Sequence, residues 1–158
     1  MANTQSMCTS FMGELMTATH NFGTAPTRGT SAADTFKAAL YLATATVDAS
    51  TTAFSATDEV SGSGYTSGGI TVTMANPPTA TNASATAGVA FFTPSASLVY
   101  SSVTLTTAFD AVLIYNSSQS NKAVSVHTFG SQTISAGTFT LTMPADTTST
   151  ALLRLATT

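Results

Sequence analysis

Charge is the scarcest property of this chain. Only 7% of its 158 residues are Asp, Glu, Lys or Arg, against about a quarter in average soluble proteins. The four basic residues, Arg28, Lys37, Lys122 and Arg154, are scattered. They cannot form the clustered cationic footprint that phosphate neutralisation demands, so no nucleic-acid partner is expected. There is no tryptophan and a single cysteine, Cys8. One thiol excludes an intrachain disulfide, leaving packing or partner subunits as the source of stability, and Cys8 reads as a small buried apolar residue. Long apolar runs are missing too. Val112-Leu113-Ile114-Tyr115 is typical, far short of the roughly 18 residues of a membrane span. Residues 1 to 30 carry neither a basic n-region nor a continuous apolar h-region, so neither a membrane span nor a secretion signal is expected.

What is present argues for a folded domain. Hydrophobic residues make up 43% of the chain, mean hydropathy is +0.25 and net charge is only -3, whereas disorder calls for low hydrophobicity or high net charge. A chain of this length buries roughly two-thirds of its unfolded surface, enough for a real core. Abundant Thr, Ser and Ala make the remaining surface one of hydroxyls and small side chains.

Two periodicities divide the chain. Cys8, Phe11, Leu15, Ala18 and Phe22 fall at helical spacing, which predicts an amphipathic helix over 7–21 with Ser6 as N-cap and Gly23 as its stop. Met7, Met12 and Met16 widen its apolar face. Thr24 to Ala33, with Pro26 and Gly29, reads as a loop. From Phe36 onward the period is 2: Phe36, Ala38, Leu40 and Leu42 alternate with Lys37, Ala39 and Tyr41, and Ile70, Val72 and Met74 alternate with Thr71 and Thr73. Similar patterns return at Val89 to Phe92, Val103 and Leu105, Val124 and Val126, Phe139 to Met143, and Leu153 and Leu155. Turn signals separate them at Gly62-Ser63-Gly64, Gly68-Gly69, Pro77-Pro78, Asn116-Ser117-Ser118, Gly130-Ser131, Ala136-Gly137 and Pro144. About eight strands with no helices between them predict a mainly β fold, a β-sandwich or jelly roll with one N-terminal α-helix. Residues 1–33 form the helix and loop and 34–158 a single β-sandwich domain. Phe109 to Tyr115 is apolar on both faces and is expected to be a central, doubly covered strand.

Chemistry has little to work with. The only imidazoles are His20 and His127. His20, at the end of the predicted helix, suits a capping role, and His127 reads as an outward-facing or hydrogen-bonded strand residue. One Cys and two isolated His do not supply paired zinc ligands. Asp58-Glu59 reads as a solvated turn, while Asp110, inside the expected central strand, needs a partner such as Lys37, Arg154 or backbone amides. The glycines from 62 to 69 lack the Lys-Ser/Thr ending of a phosphate loop. No catalytic, metal or cofactor-binding residue is expected, and the chain is read as a non-enzyme.

Several segments form a familiar set: His20-Asn21-Phe22, Asp34-Thr35-Phe36-Lys37-Ala38-Ala39-Leu40-Tyr41, Gly62-Ser63-Gly64-Tyr65-Thr66-Ser67-Gly68-Gly69, Leu113-Ile114-Tyr115-Asn116 and Ser120-Asn121-Lys122-Ala123-Val124. This series resembles small structural proteins of tailed-bacteriophage virions, of the capsid cement or decoration type. Ala75 to Ser97, rich in Ala and Thr, departs from that pattern. The resemblance implies a protein made in the host cytoplasm and placed on the outer surface of the capsid, where it bridges major capsid protein subunits. A dimer or trimer on a symmetry axis is the expected oligomer. Phe11, Leu15, Met16, Tyr65, Pro77 and Pro78 are the candidate interface residues. The alternatives are a tail or head-tail connector component, or a glycan-binding module using Tyr65, Tyr100 and Tyr115 as platforms.

Overall fold

The computed structural model describes residues 3–16, 18–22, 33–74, 78–81 and 88–156. The elements are β1 (Ser6–Met7), α1 (Thr9–Met16), β2 (Phe36–Leu42), β3 (Ile70–Thr71), β4 (Thr79–Thr81), β5 (Val89–Phe92), β6 (Leu98–Asn116), β7 (Lys122–Leu141) and β8 (Leu153–Ala156). They form a mainly β structure of the β-sandwich class. One antiparallel sheet has the order β1-β7-β6-β2-β3 and the other β4-β5-β8.

The doubly apolar stretch finds the place its pattern demands. β6 is the middle strand of five, and Phe109, Ala111, Val112 and Leu113 are completely buried. Its neighbour β2 is more enclosed than alternation suggests: Ala39 and Tyr41, expected on the open face, are buried beside Ala38 and Leu40. The reason is cover on both sides, since Val60 N–H reaches the Leu40 carbonyl and Tyr41 bridges to Glu59. Four separate sequence patterns turn out to be two strands. Val103 and Leu105 belong with Phe109 to Tyr115 in β6, and Val124 and Val126 belong with Phe139 and Leu141 in β7. Gly130-Ser131 and Ala136-Gly137, expected as turns, lie inside β7. The β6–β7 register shifts at several points, and Ser102 and Ala136 take positive φ near two of them. Such bulges let a long, strongly twisted hairpin absorb turn-forming residues without ending.

The N-terminal helix is shorter than its periodicity. Ser6 does not cap it but pairs with Val126 as part of β1, and Cys8 stands immediately before the first turn, its N–H on the Val124 carbonyl. The helix ends well before Gly23, which lies outside the described residues with the loop through 32. Ala18 takes the left-handed conformation (φ 54°), its N–H meets the Leu15 carbonyl, and Thr19 N–H meets the Glu14 carbonyl. This is the Schellman pattern of bonds, with alanine where glycine is usual. Cys8, Phe11 and Phe22 enter the same core as the strands. Phe22 stacks on Phe36 at 4.5 Å and contacts Phe92 of the smaller sheet at 5.4 Å, so it links the helix to both sheets.

Candidate functional site

Two buried polar clusters are the places where this chain concentrates its few ionisable groups. The first is built on the loop between β2 and β3. Glu59, expected in a solvated turn, is instead only 8% exposed. Its Oε1 accepts from the Tyr65 hydroxyl at 2.7 Å and from Gly68 N–H at 2.7 Å, and its Oε2 accepts from Ser67 Oγ at 2.6 Å. Three donors satisfy a carboxylate that water no longer reaches. Its neighbour Asp58 is exposed, with a positive φ, so two adjacent acids have opposite fates. The Tyr65 hydroxyl also accepts the Leu40 N–H at 3.0 Å. Gly69, at φ 70°, lies so close to β2 that a Cβ there would sit 1.7 Å from the Ala38 carbonyl oxygen.

The four tyrosines of the chain are structural members of this region. Tyr100 donates to the Ala38 carbonyl at 2.9 Å, Tyr115 to the Gly68 carbonyl at 2.8 Å, and Tyr41 to the Ser55 carbonyl. Burial pushes the Tyr41 phenol up to about 12, and burial raises Tyr65, Tyr100 and Tyr115 as well, so none ionises near neutrality. Tyr100 and Tyr115 are each 2% exposed. The tyrosines considered as glycan platforms therefore point inward: Tyr65 is half-buried with its hydroxyl committed, and the other two are enclosed.

The second cluster joins α1 to the β6–β7 turn. Lys122 Nζ donates to Glu14 Oε1 at 2.6 Å, and His20 Nε2 meets Glu14 Oε2 at 2.8 Å. Asn116 Nδ2 reaches His20 Nδ1 at 3.1 Å and Asp34 Oδ2 at 2.7 Å. The amide is the donor in this contact, so Nδ1 accepts and Nε2 carries the hydrogen toward Glu14. Asp34 also accepts from Asn21 N–H and Gln119 Nε2. Partial burial works to raise both carboxyls, but the hydrogen bonds from Lys122 and His20 onto Glu14, and from Asn116, Asn21 and Gln119 onto Asp34, outweigh it and hold both below their usual range. His20 is thus no helix cap, because the helix has already ended, and with both ring nitrogens engaged it has no free face for proton transfer.

His127 forms a third, smaller feature. Ser125 Oγ and His127 Nε2 lie 2.9 Å apart on one face of β7, an arrangement that separate reading of the two residues did not bring out. Burial depresses the imidazole to about 4, keeping it neutral. No carboxylate bonded to its other nitrogen is found among the described residues, so the orienting third member of a hydrolytic triad is missing there. Asp110 finds its partner in Asn3, whose Nδ2 donates to it and to the Leu42 carbonyl while its Oδ1 accepts from Val47 N–H. Neither Lys37 nor Arg154 takes that role. Among the described residues no group of three or more His, Cys, Asp and Glu is placed to hold a metal ion, and no helix is long and apolar enough to cross a membrane.

The candidate interface residues fall into two places. Phe11, 2% exposed, belongs to the core. Leu15 and Pro78 line an apolar cavity of about 130 Å³ between α1 and the smaller sheet, with Phe91, Leu153 and Leu155. Tyr65 sits apart in the Glu59 cluster. Pro77 and the Met16 side chain lie outside the described residues. No family model matches the chain, and neither a curated protein nor a solved structure matches it.

Proposed function

We propose that the chain is a capsid cement or decoration protein of a tailed bacteriophage, binding between major capsid protein subunits and stabilising the assembled head. One structural observation carries this reading. A chain already poor in charge commits much of what it has internally: Glu59 to the tyrosine cluster, Glu14, Asp34 and Lys122 to the helix cluster, Asp110 to Asn3. Along the outer halves of β6 and β7 what faces outward is uncharged and hydroxyl-rich, exposed at Ser101, Ser102, Thr106, Thr107, Thr133, Thr138 and Thr140. Contacts made by such a surface rest on close packing and backbone bonds, which salt screens little.

A lattice binder needs no chemistry beyond that. Binding to the assembled shell and not to free subunits stabilises the shell by mass action, and repeated weak contacts add up over many symmetry-related sites. The likeness of the segments around Tyr65 and Leu113 to phage virion proteins supports the same address. Cryo-electron microscopy of purified particles, with copy number from quantitative mass spectrometry, tests it. Density for this chain at regular positions on the head surface, in copies matching the coat lattice, is the expected result. A few copies confined to the neck or tail would replace it with the connector reading, and absence from the particle would end both.

A further inference from the structure

We propose that the outer edge of β7, over Gly130–Ser135, pairs with the same edge of a second copy of this chain to form a two-fold symmetric dimer. The proposal stands on the fold alone and does not depend on the capsid reading.

The edge is open over most of a long strand. β7 runs for 20 residues, but β1 covers it only at Ser125 and Val126. Beyond His127 its other neighbour is β6 alone, and no backbone bond joins its free side to another described residue. The Gly130 carbonyl is met at 3.0 Å by the side chain of Gln132, an exposed group that can swing aside. A row of unpaired amides and carbonyls is a template for another strand, so the backbone itself specifies what covers it.

The core also stops short at this edge. On β6, Leu98, Tyr100 and Leu105 are at most 2% exposed, while their partners across the ladder on β7, Leu141, Phe139 and Ile134, remain half-exposed. Phe129 is half-exposed too, 5.2 Å from Phe139 and 5.9 Å from Phe109. A second strand laid along Gly130–Ser135 would add cover to Ile134 within that stretch and to Phe129 beside it.

Charge and symmetry select a second copy as the occupant. No Asp, Glu, Lys or Arg lies between Lys122 and Asp146, and no Pro before Pro144, so the usual protections of a free edge are lacking over this stretch. Two antiparallel copies related by a two-fold meet no like charge. Isologous pairing also consumes both edges at once and closes, which prevents the open-ended addition that an uncharged edge otherwise invites. The positive φ at Ala136 bends the strand and ends the stretch on that side, while the register shifts on either side of Gln132 lie on its β6 side and are present in both copies alike.

Sedimentation velocity over a concentration series, with amide hydrogen exchange of β7, tests the proposal. The wild-type chain is expected to sediment as a dimer, with the amides of residues 130–135 more protected as concentration rises. The double variant Ser131→Lys with Thr133→Lys, both at exposed positions, places like charges across the two-fold and is expected to raise the dimer dissociation constant by at least about tenfold. Its far-ultraviolet circular dichroism should be unchanged, and Thr57→Lys, elsewhere on the surface, should dimerise like the wild type. A monomeric or trimeric wild type, a lysine variant that dimerises as tightly, or edge amides protected only when a foreign protein is added would each overturn the pairing. The location of the chain on a particle is read in a separate experiment, so failure of one proposal leaves the other standing.

Discussion

The hydroxyl of Tyr65 donates to the Glu59 carboxylate across 2.7 Å. The same hydroxyl accepts the N–H of Leu40, a fully buried residue of β2, so one oxygen ties the Gly-rich loop to the strand beneath it. Tyr65→Phe removes that oxygen and leaves the Leu40 amide without an acceptor. The expected cost is about 1–3 kcal/mol, read as a lower urea midpoint with an unchanged slope. An unchanged midpoint would mean that the loop is not anchored through this bond.

Ala18 closes the helix in a conformation that costs an L-residue energy and glycine little. Ala18→Gly is therefore expected to stabilise the protein, by about 0.5–1 kcal/mol. A thermal melt that moves down would contradict the left-handed cap.

Two glycines give opposite expectations for the same change. Gly69→Ala combines a positive φ with a Cβ 1.7 Å from the Ala38 carbonyl oxygen, and backbone must move to admit it. Gly130→Ala meets nothing within 4 Å and should stay within about 0.5 kcal/mol of the wild type. Denaturation of the pair under one set of conditions checks both, and equal effects would refute the close approach of the loop to β2.

The half-buried imidazole of His127 sets an acid limit. Its folded value of about 4 lies below the unfolded 6.5, so between these values the unfolded chain binds a proton that the native one refuses. Stability must then fall as pH drops from 6.5 toward 4, by at most about 1.4 kcal/mol per pH unit from this group. Glu14 and Asp34, both lowered in the fold, contribute stability that is present above their unfolded values and is lost as pH falls through their folded ones, so they act in a more acid window. Denaturation of His127→Gln across pH should show a flatter profile between 6.5 and 4 with the acid collapse retained. A wild-type curve already flat in that interval would rule the mechanism out.

The strands were legible where local pattern decides burial. Phe109 to Tyr115 is apolar on both faces, and only a central strand accommodates that. Distant partners explain what was not legible. Ser6 looks like a helix cap until Val126 claims it for a sheet, and Gly130 and Gly137 look like turns until β6 supplies a long ladder to hold them. Glu59 offers no local sign of burial, since its donors at 65, 67 and 68 reach it only after the loop has folded back. The second cluster draws on residues from Glu14 to Lys122, and no short motif announces a network assembled across that span. Sequence reading did anticipate Cys8, whose buried thiol is pushed up to about 11 by desolvation. It is expected to ignore thiol reagents in the folded protein and to react once the chain is unfolded.

The pairing of β1 with β7 carries a consequence for how the chain is born. Ser6 and Met7 leave the ribosome well over a hundred residues ahead of their partners, Val126 and Ser125. Asn3 waits in the same way for Asp110. The five-residue turn between Asn116 and Lys122 joins β6 to β7 directly, so the hairpin can close as soon as it emerges, while the N-terminal segment must stay undocked until then. Docking of β1 is therefore expected to be a late step of folding, after the β6–β7 hairpin has closed.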